Sequence, residues 1–386
     1  MTNSRYFKLE VPDNDINDLK KRLNNTRLPD QAPIEPWKSG TDLYWFKNLL
    51  NYWENDYDWR KSEAELNAFD QFKMNIDEVD IHFIKSEGKT EKSFPLLLLH
   101  GWPGSVFEFI EIINILNNPS KFNIDTNISY TVIAPSLPGF GLSFKPNQKR
   151  FGVEEISDIL LVLMQNLGYD KFFIQGGDWG SMIGTRLGYK YPDNIFGLHL
   201  NMLSLRREFE NKKDISPEEK DYIDQVKRWR LEGMGYQAIQ GSRPQTLAYG
   251  LTDSPAGLAA WICEKFYEWT DCKGIPENSI SIDRMLANIS LYWFTGAIGS
   301  SFWPYYARSH RSWFIPEGAK VTVPVGYCEF PKEMLEWPPK SYVNRIFNIK
   351  RWKKFSKGGH FAALEVPNLL INDIKNFFNK DIKIFK

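Results

Sequence analysis

The sequence has few of the features expected of a membrane protein, a disulfide-rich secreted protein or a nucleic-acid-binding protein. Near its start, it contains no apolar stretch long enough for a signal peptide or a membrane span. It has three cysteines, Cys263, Cys272 and Cys328, without the paired spacing of a zinc site or a disulfide framework. A formal net charge of +0 gives no broad field that would attract nucleic acid or anionic lipid. We therefore expect a cytoplasmic protein without a membrane anchor.

Apolar and aromatic residues are plentiful. The 386 residues are 42% hydrophobic and 25% charged, as expected of a globular protein with a large core. Aromatic residues make up 15% of the chain, including 14 Trp and 17 Tyr. Such rings serve core packing in most proteins, but they also suit a cavity for an apolar substrate.

The segment Phe172-Phe173-Ile174-Gln175-Gly176-Gly177-Asp178-Trp179-Gly180-Ser181 has the layout of a nucleophile elbow. An apolar strand turns sharply into a predicted helix at 182–191, and the flanking glycines leave room for the strained central residue. The fold predicted is therefore α/β, specifically the α/β-hydrolase fold. An ordinary Gly-Asp turn is the alternative.

Asp178 stands where hydrolases of this fold usually carry serine, and this difference changes the chemistry. A carboxylate is ionised at neutral pH and can attack a saturated carbon without a base. Its suitable targets are carbons with a leaving group, such as those of an epoxide or an alkyl halide. The product would be an alkyl ester on Asp178, which water must then cleave.

The remaining pattern predicts a mainly parallel sheet with an N-terminal meandering arm and an inserted helical lid. The arm covers residues 1–90, the core 91–203 and 319–386, and the lid 204–318. Predicted strands lie at 72–76, 79–83, 94–99, 130–134, 195–202, 321–327 and 345–355. Predicted helices lie at 106–116, 156–167, 216–239, 255–269, 282–294 and 369–378.

A second motif, His100-Gly101-Trp102-Pro103, follows a buried strand. In this fold the loop at that point supplies a backbone N–H for the oxyanion hole, which we assign to Trp102, with Trp179 as the second donor. One such donor contributes about 3–4 kcal/mol to barrier lowering. A Gly-Pro loop with a packed Trp is the alternative. His100 itself is expected to be a structural hydrogen-bonding residue.

His360 is the candidate base, since Gly358-Gly359-His360 follows the last predicted strand and small neighbours let the ring reach the site. His82 and His199 fall in strands and His310 in the lid. An acid that orients the imidazole should follow the strand at 321–327. Spacing does not choose between the candidates Glu329, Glu333 and Glu336.

Taken together, these motifs resemble those of the microsomal-type epoxide hydrolases. The resemblance extends over nearly the whole chain and rests on HGWPGS (100–105), GGDWGS (176–181), GLTDSPAGLAA (250–260), FPKE (330–333) and GGHFAA (358–363). It implies that an apolar epoxide and water give a vicinal diol, without a metal or an organic cofactor.

The resemblance also implies particular residues. It selects Glu333 as the acid, at the end of the Phe-Pro-x-Glu pattern. It implies that Tyr236 and Tyr305 donate protons to the epoxide oxygen, with the adjacent Tyr306 as the alternative to Tyr305. Vertebrate members begin with a membrane anchor, which the start of this sequence does not show.

Two other functions fit part of the pattern. A haloalkane dehalogenase shares the aspartate, the histidine and the oxyanion hole, but halide leaves without a proton, so Tyr236 and Tyr305 favour an epoxide. A non-catalytic protein that binds an apolar ligand is the second alternative. It has no need for Asp178, Glu333 and His360 together.

Overall fold

The computed structural model describes residues 4–122, 126–203 and 215–381, with one nine-stranded sheet. Its strands, β1 to β9, span Ser4–Phe7, Gln71–Ile76, Val79–Ser86, Lys92–Leu99, Ile128–Pro135, Phe172–Gly176, Ile195–Leu200, Val321–Glu329 and Phe347–Lys354. The strand order is β1-β2-β3-β5-β4-β6-β7-β8-β9.

The sheet is antiparallel at its N-terminal edge and parallel elsewhere. Three neighbouring pairs are antiparallel: β1 with β2, β2 with β3, and β3 with β5. The remaining neighbours pair in parallel, in the order β5-β4-β6-β7-β8-β9. Residues 96–99 of β4 are fully buried, as expected of a parallel strand covered on both faces. In the register of β4 and β6, Leu99 pairs with Gly176, so the two following loops emerge side by side.

Sixteen α-helices occur in the described part of the chain. Helices α1 to α6 span Asp13–Asn24, Leu43–Asn55, Trp59–Asn67, Ile110–Asn117, Val153–Asn166 and Asp178–Lys190. Helices α7 to α13 span Pro217–Gly233, Gly235–Ser242, Pro244–Asp253, Pro255–Glu268, Ile282–Thr295, Ile298–Ser301 and Trp303–His310. Helices α14 to α16 span Lys340–Ile346, Ala362–Glu365 and Pro367–Asn376.

The mostly parallel sheet, the N-terminal hairpin of β2 and β3, and the helices between β7 and β8 agree with the predicted fold class. The described residues between those two strands contain helices and no strand. The predicted domain bounds stay predictions. The first residues of the arm (1–3), the start of the lid (204–214) and the last residues of the core (382–386) lie outside the described residues.

Several predicted element bounds were wrong. The helix after the elbow begins at Asp178 itself, because extended Gly177 is its N-cap. The predicted helix at 106–116 opens with a 3₁₀ turn, Val106–Glu108. The predicted helix at 216–239 is broken at Met234, which lies between two glycines.

Near the C-terminus, the last strand is shorter than predicted. Arg345 belongs to α14, so β9 begins at Phe347. The final helix begins at Pro367, two residues earlier than expected, and ends at Asn376, where a π-helical turn, Phe377–Asp381, follows. Proline suits the first turn of a helix because it has no N–H to leave unpaired.

The bend between β6 and α6 leaves almost no free space. Asp178 has a φ of 47°, the left-handed region that side chains rarely adopt. A Cβ atom on Gly180 would lie 2.1 Å from the carbonyl oxygen of Leu99 in β4. A Cβ atom on Gly176 would lie 2.6 Å from the backbone of Gly180. The strand, the bend and the helix can therefore pack this closely only with glycine at these positions.

We expect Gly180→Ala to lower the free energy of unfolding by about 2 kcal/mol or more, because the new methyl group meets backbone that cannot move aside. Gly250→Ala is the matched control, since a Cβ atom there meets nothing within 4 Å in helix α9. It should leave stability unchanged or raise it by up to about 1 kcal/mol. Denaturant unfolding of both variants measures the difference; equal stabilities would contradict this account of the bend.

Candidate active site

The carboxylate of Asp178 lies at the first turn of α6, beside the loop that follows β4. The backbone N–H of Trp102 donates a hydrogen bond of 2.8 Å to its Oδ1 atom. The N–H of Trp179 also donates to this carboxylate. The structure thus brings the two predicted oxyanion-hole residues to the predicted nucleophile, through the register that aligns β4 with β6.

Burial and hydrogen bonding act on Asp178 in opposite directions. The residue is 7% exposed. Burial raises the pKa of its carboxyl group above the usual value, and this effect exceeds all others. His360 and the N–H groups of Trp102 and Trp179 lower the pKa and favour the charged form. The carboxylate therefore lies in a dry site in which its charge depends on a few fixed partners.

The imidazole of His360 lies between two carboxylates. Its Nδ1 atom is 2.8 Å from Oε1 of Glu333, and its Nε2 atom is 3.6 Å from Oδ2 of Asp178. Its loop is held by the hydrogen bond from the His360 N–H to the carbonyl of Trp269, at 2.8 Å. Burial alone would lower the pKa of His360, but Glu333 and then Asp178 raise it to about 9.

The three candidate glutamates have different surroundings. Glu333 bonds His360, and its side chain is buried. Glu329 accepts from Nε1 of Trp352 at 2.8 Å and lies 3.0 Å from Nζ of Lys354. Glu336 is exposed. Of these candidates, the structure brings only Glu333 to the histidine.

The other four histidines lie away from the Asp178 carboxylate or are bonded elsewhere. His100 accepts from the N–H of Leu137 at Nε2 and lies 3.0 Å from the carbonyl of Gly101. Burial lowers the pKa of His100 to about 4, so this ring is neutral at neutral pH. The partners of the remaining three are Ser136 and Gln71 for His82, Asp373 for His199, and the carbonyl of Tyr306 for His310.

Tyr236 and Tyr305 meet above Asp178. Their ring centroids are 5.7 Å apart, and both rings are buried against Trp102. The ring of Tyr305 also contacts that of Trp179, with centroids 4.7 Å apart. Burial raises the pKa of both phenols well above the usual value, so both hold their protons at neutral pH. Tyr306 instead stacks on Trp303 and His310.

A cleft of about 70 Å³ extends from Asp178 along these tyrosines. Apolar and aromatic side chains line much of it, including Met182, Met202, Met234 and Met334. Methionine side chains are flexible and polarisable, so they adapt to apolar groups of different shape. Arg230 and Arg308 also reach the lining.

Sequence reasoning missed several residues around this site. Lys265 is buried, with Nζ 4.5 Å from the ring centroid of Tyr236, and it pairs with Glu264 and Glu268. Glu108 and Gln175 line a small cavity behind Asp178. Glu108 had a signal in the sequence, since it is an acidic residue within the apolar segment Val-Phe-Glu-Phe-Ile. Gln175 had no signal in the sequence beyond its position just before the elbow.

One group of possible metal ligands occurs among the described residues. His199, Cys328 and Asp373 place their ligand atoms within 4.8 Å of one another. However, Asp373 already bonds His199 at 3.1 Å and accepts from Nε of Arg351 at 2.8 Å. This is the pattern of a buried network around the ion pair of Arg351 and Asp373. The absence of a cofactor requirement stays a prediction.

The fold and this arrangement define a class of protein. A mostly parallel sheet, a strand–helix bend bearing the central side chain, and a following histidine loop are the features of an α/β-hydrolase. In this class the bend usually carries serine, and here it carries aspartate.

Comparison with known proteins identifies the family. The family model "Epoxide hydrolase N terminus" matches residues 4–109, and "alpha/beta hydrolase fold" matches residues 95–254. Epoxide hydrolase 1 of Sus scrofa is 36% identical, over 97% of this chain and 88% of the relative. The chain therefore belongs to the epoxide hydrolase family, and both the predicted family and the predicted fold are confirmed.

Solved structures agree. The crystal structure of juvenile hormone epoxide hydrolase from Bombyx mori aligns with a TM-score of 0.89 and 32% identity, covering 99% of this chain and 95% of that one. The epoxide hydrolase of Aspergillus niger aligns with a TM-score of 0.85 and 30% identity, covering 98% and 96%. In the described part of this chain, no helix is both long and apolar enough to span a membrane.

We expect Glu333→Gln to lower the pKa of His360 from about 9 toward its usual value of 6.5, because the neighbouring negative charge is lost. At pH 8 the imidazole should change from mostly charged to mostly neutral. NMR titration of protein labelled in its five histidines measures this directly.

Glu329→Gln is the control for this titration. Glu329 is the last residue of strand β8, and it accepts a hydrogen bond from Trp352 and makes none with His360. This variant should leave the pKa of His360 unchanged. An unchanged His360 in Glu333→Gln, or the same shift in both variants, would refute the pairing of Glu333 with His360.

Proposed function

We propose that this epoxide hydrolase converts an apolar epoxide and water to a vicinal diol through a covalent ester on Asp178. The observation that carries the proposal is the placement of Asp178. Its carboxylate lies 3.6 Å from the His360 imidazole, and the same residue lines a cleft with two buried, protonated tyrosines. A base and two acids are thus grouped around one nucleophilic carboxylate.

In the first step, the Asp178 carboxylate attacks the less hindered epoxide carbon. The epoxide C–O bond breaks as the Asp178 C–O bond forms, and the released oxygen takes a proton from Tyr236 or Tyr305. Proton donation of this kind contributes about 10²–10⁴ in rate. It matters because an unprotonated alkoxide is a poor leaving group, and the high pKa of both buried phenols keeps their protons available.

In the second step, water attacks the ester carbon of Asp178. Formation of the ester removes the Asp178 charge, which is one of the causes that raise the pKa of His360. The imidazole, which Glu333 orients, then loses its proton more readily and can accept one from water. The N–H groups of Trp102 and Trp179 stabilise the oxyanion, at about 3–4 kcal/mol for each donor.

The tyrosines favour an epoxide over an alkyl halide as substrate. A halide leaves without a proton, whereas the ring oxygen of an epoxide requires one. Both tyrosines line the substrate cleft beside Asp178, and both hold their protons at neutral pH. A role in ligand binding alone would not require the hydrogen bond between Glu333 and His360, nor the proximity of the His360 ring to Asp178.

The lining of the cleft supports an apolar substrate. Four methionines and several aromatic rings line the cleft that begins at Asp178, so the non-reacting part of the substrate would be bound by burial of apolar surface. The relative from Bombyx mori is named for juvenile hormone, which fits the same preference. A cytoplasmic location is part of this proposal.

We expect His360→Gln to form the Asp178 ester once and then to stall, because alkylation needs no base but hydrolysis does. Turnover should fall by about 10²–10⁴-fold. Intact-mass spectrometry after mixing with an apolar aryl epoxide should show protein heavier by one substrate, and a digest should place the adduct on the Asp178 peptide.

His310→Gln is the matched control, because His310 is exposed at the end of helix α13, where its Nδ1 atom lies 2.8 Å from the carbonyl of Tyr306. It should turn over at the wild-type rate without an adduct. Absence of the adduct in His360→Gln, with a substrate that the wild type converts to diol, would remove His360 from the second step.

A further inference from the structure

Two cavities meet at Asp178. The substrate cleft lies on the side of the tyrosines, and a smaller cavity lies on the side of His360. Of the described residues that line them, Asp178 is common to both. The smaller cavity has about 20 Å³ of free space, which is enough for one water molecule. Its polar lining residues include Glu108, Gln175 and Asn201.

Glu108 reaches this cavity because Gly104 leaves room for it. A Cβ atom on Gly104 would lie 1.5 Å from Oε1 of Glu108, so any side chain there would displace the carboxyl group. The loop is fixed by Asn288, which donates to the carbonyl of Pro103 at 2.7 Å, and by Tyr292, which donates to the carbonyl of Gly104 at 2.9 Å. The carboxyl group is therefore directed by a tightly held loop.

Gln175 provides an independent sign that a ligand belongs in the cavity. Its Nε2 atom donates to Oδ1 of Asn201 at 2.9 Å, which fixes the orientation of the amide. Its Oε1 atom is then buried without a hydrogen-bond partner among the described residues. An unpaired buried acceptor costs about 1–3 kcal/mol. A donor in the adjoining cavity, such as a water molecule, removes this cost.

We propose that Glu108 and Gln175 hold the hydrolytic water in this cavity, on the opposite side of Asp178 from the epoxide. The assignment rests on the proposed function. The water donates one hydrogen to Nε2 of His360 and the other to Oε1 of Gln175 or to the Glu108 carboxyl group. A lone pair is then left to face the ester carbon of Asp178.

The step balances without any further reactant. The water O–H bond breaks as its proton passes to His360, and the water oxygen bonds to the ester carbon. The C–O bond to the substrate then breaks, and the departing diol oxygen takes the proton from His360. The second water proton stays on the Asp178 carboxyl group and then returns to the tyrosine that protonated the epoxide oxygen, so Asp178 is regenerated as a carboxylate with one oxygen from water.

The charge of Glu108 fits this role. Burial raises the pKa of its carboxyl group to about 8, so it is mostly neutral at neutral pH. A neutral group adds no third negative charge near Asp178 and Glu333. It can still accept a hydrogen bond from water through its carbonyl oxygen.

Rapid-quench single turnover separates the two steps, because it measures the rate of ester formation and the rate of ester loss in the same reaction. We expect Glu108→Leu to slow ester loss by roughly tenfold or more, as for one hydrogen bond lost from a transition state. The rate of ester formation should stay within about twofold of the wild type.

Two further variants keep the proposal testable if Glu108→Leu folds poorly. Glu108→Gln retains a polar group of the same shape and should recover most of the lost rate of ester loss. Gln175→Met removes the unpaired acceptor at similar length and should show the defect of Glu108→Leu. Glu111→Leu, on the exposed face of helix α4, is the control and should behave as the wild type.

Each outcome decides the proposal. A selective loss of ester hydrolysis in Glu108→Leu and Gln175→Met, with recovery in Glu108→Gln, supports it. Equal slowing of both steps would assign Glu108 a structural role, and normal ester loss in both variants would remove the water site. If the wild type forms no ester on Asp178, the proposed function itself fails, and this assignment fails with it.

Discussion

The structure depends on keeping one negative charge buried. Moving a carboxylate out of water is costly unless fixed dipoles and opposite charges replace its hydration. At Asp178 these are the backbone N–H groups of Trp102 and Trp179 and the imidazole of His360. The close packing at Gly176 and Gly180 brings the strand β4 loop near enough for the first of these donors. The bend thus places a poorly hydrated carboxylate among its partners.

The two sides of Asp178 differ in chemistry. On the cleft side, protonated phenols and apolar side chains suit an uncharged substrate whose oxygen must gain a proton. On the opposite side, His360 and other polar groups surround a space the size of a water molecule. In the proposed mechanism, this separation lets the same carboxylate act first as the nucleophile and then, as an ester, as the target of water. The carboxylates of Glu333 and Asp178 raise the pKa of His360 and keep the imidazole charged at neutral pH.

Asp178 and His360 could be proposed as nucleophile and base from the sequence because the constraints on both residues are local. The glycines around Asp178 reflect a bend that only glycine allows, and those before His360 reflect a loop that must reach the site. Glu333 could not be chosen on spacing, since Glu329 and Glu336 lie on the same segment. Direction decides between them: Glu329 points to Trp352, whereas Glu333 points to His360. The resemblance to a family was needed to select it from the sequence.

Other features required the folded chain. Glu108 and Gln175 come from separate elements that meet only because β4 and β6 pair in register. The break at Met234 was missed because the sequence on both sides of it favours a single continuous helix. Tyr305 and Tyr306 are adjacent in sequence, and helix geometry turns only the first toward Asp178.

The most direct test of the account follows the oxygen atoms. A single turnover in ¹⁸O-labelled water, with enzyme in excess over epoxide, is followed by digestion and mass spectrometry of the Asp178 peptide and of the diol. The account predicts that ¹⁸O enters the Asp178 carboxylate, since water attacks the ester carbon, and that the diol from this first turnover is unlabelled. Label in the diol alone, with none in that peptide, would mean that water attacks the epoxide directly and would contradict the account.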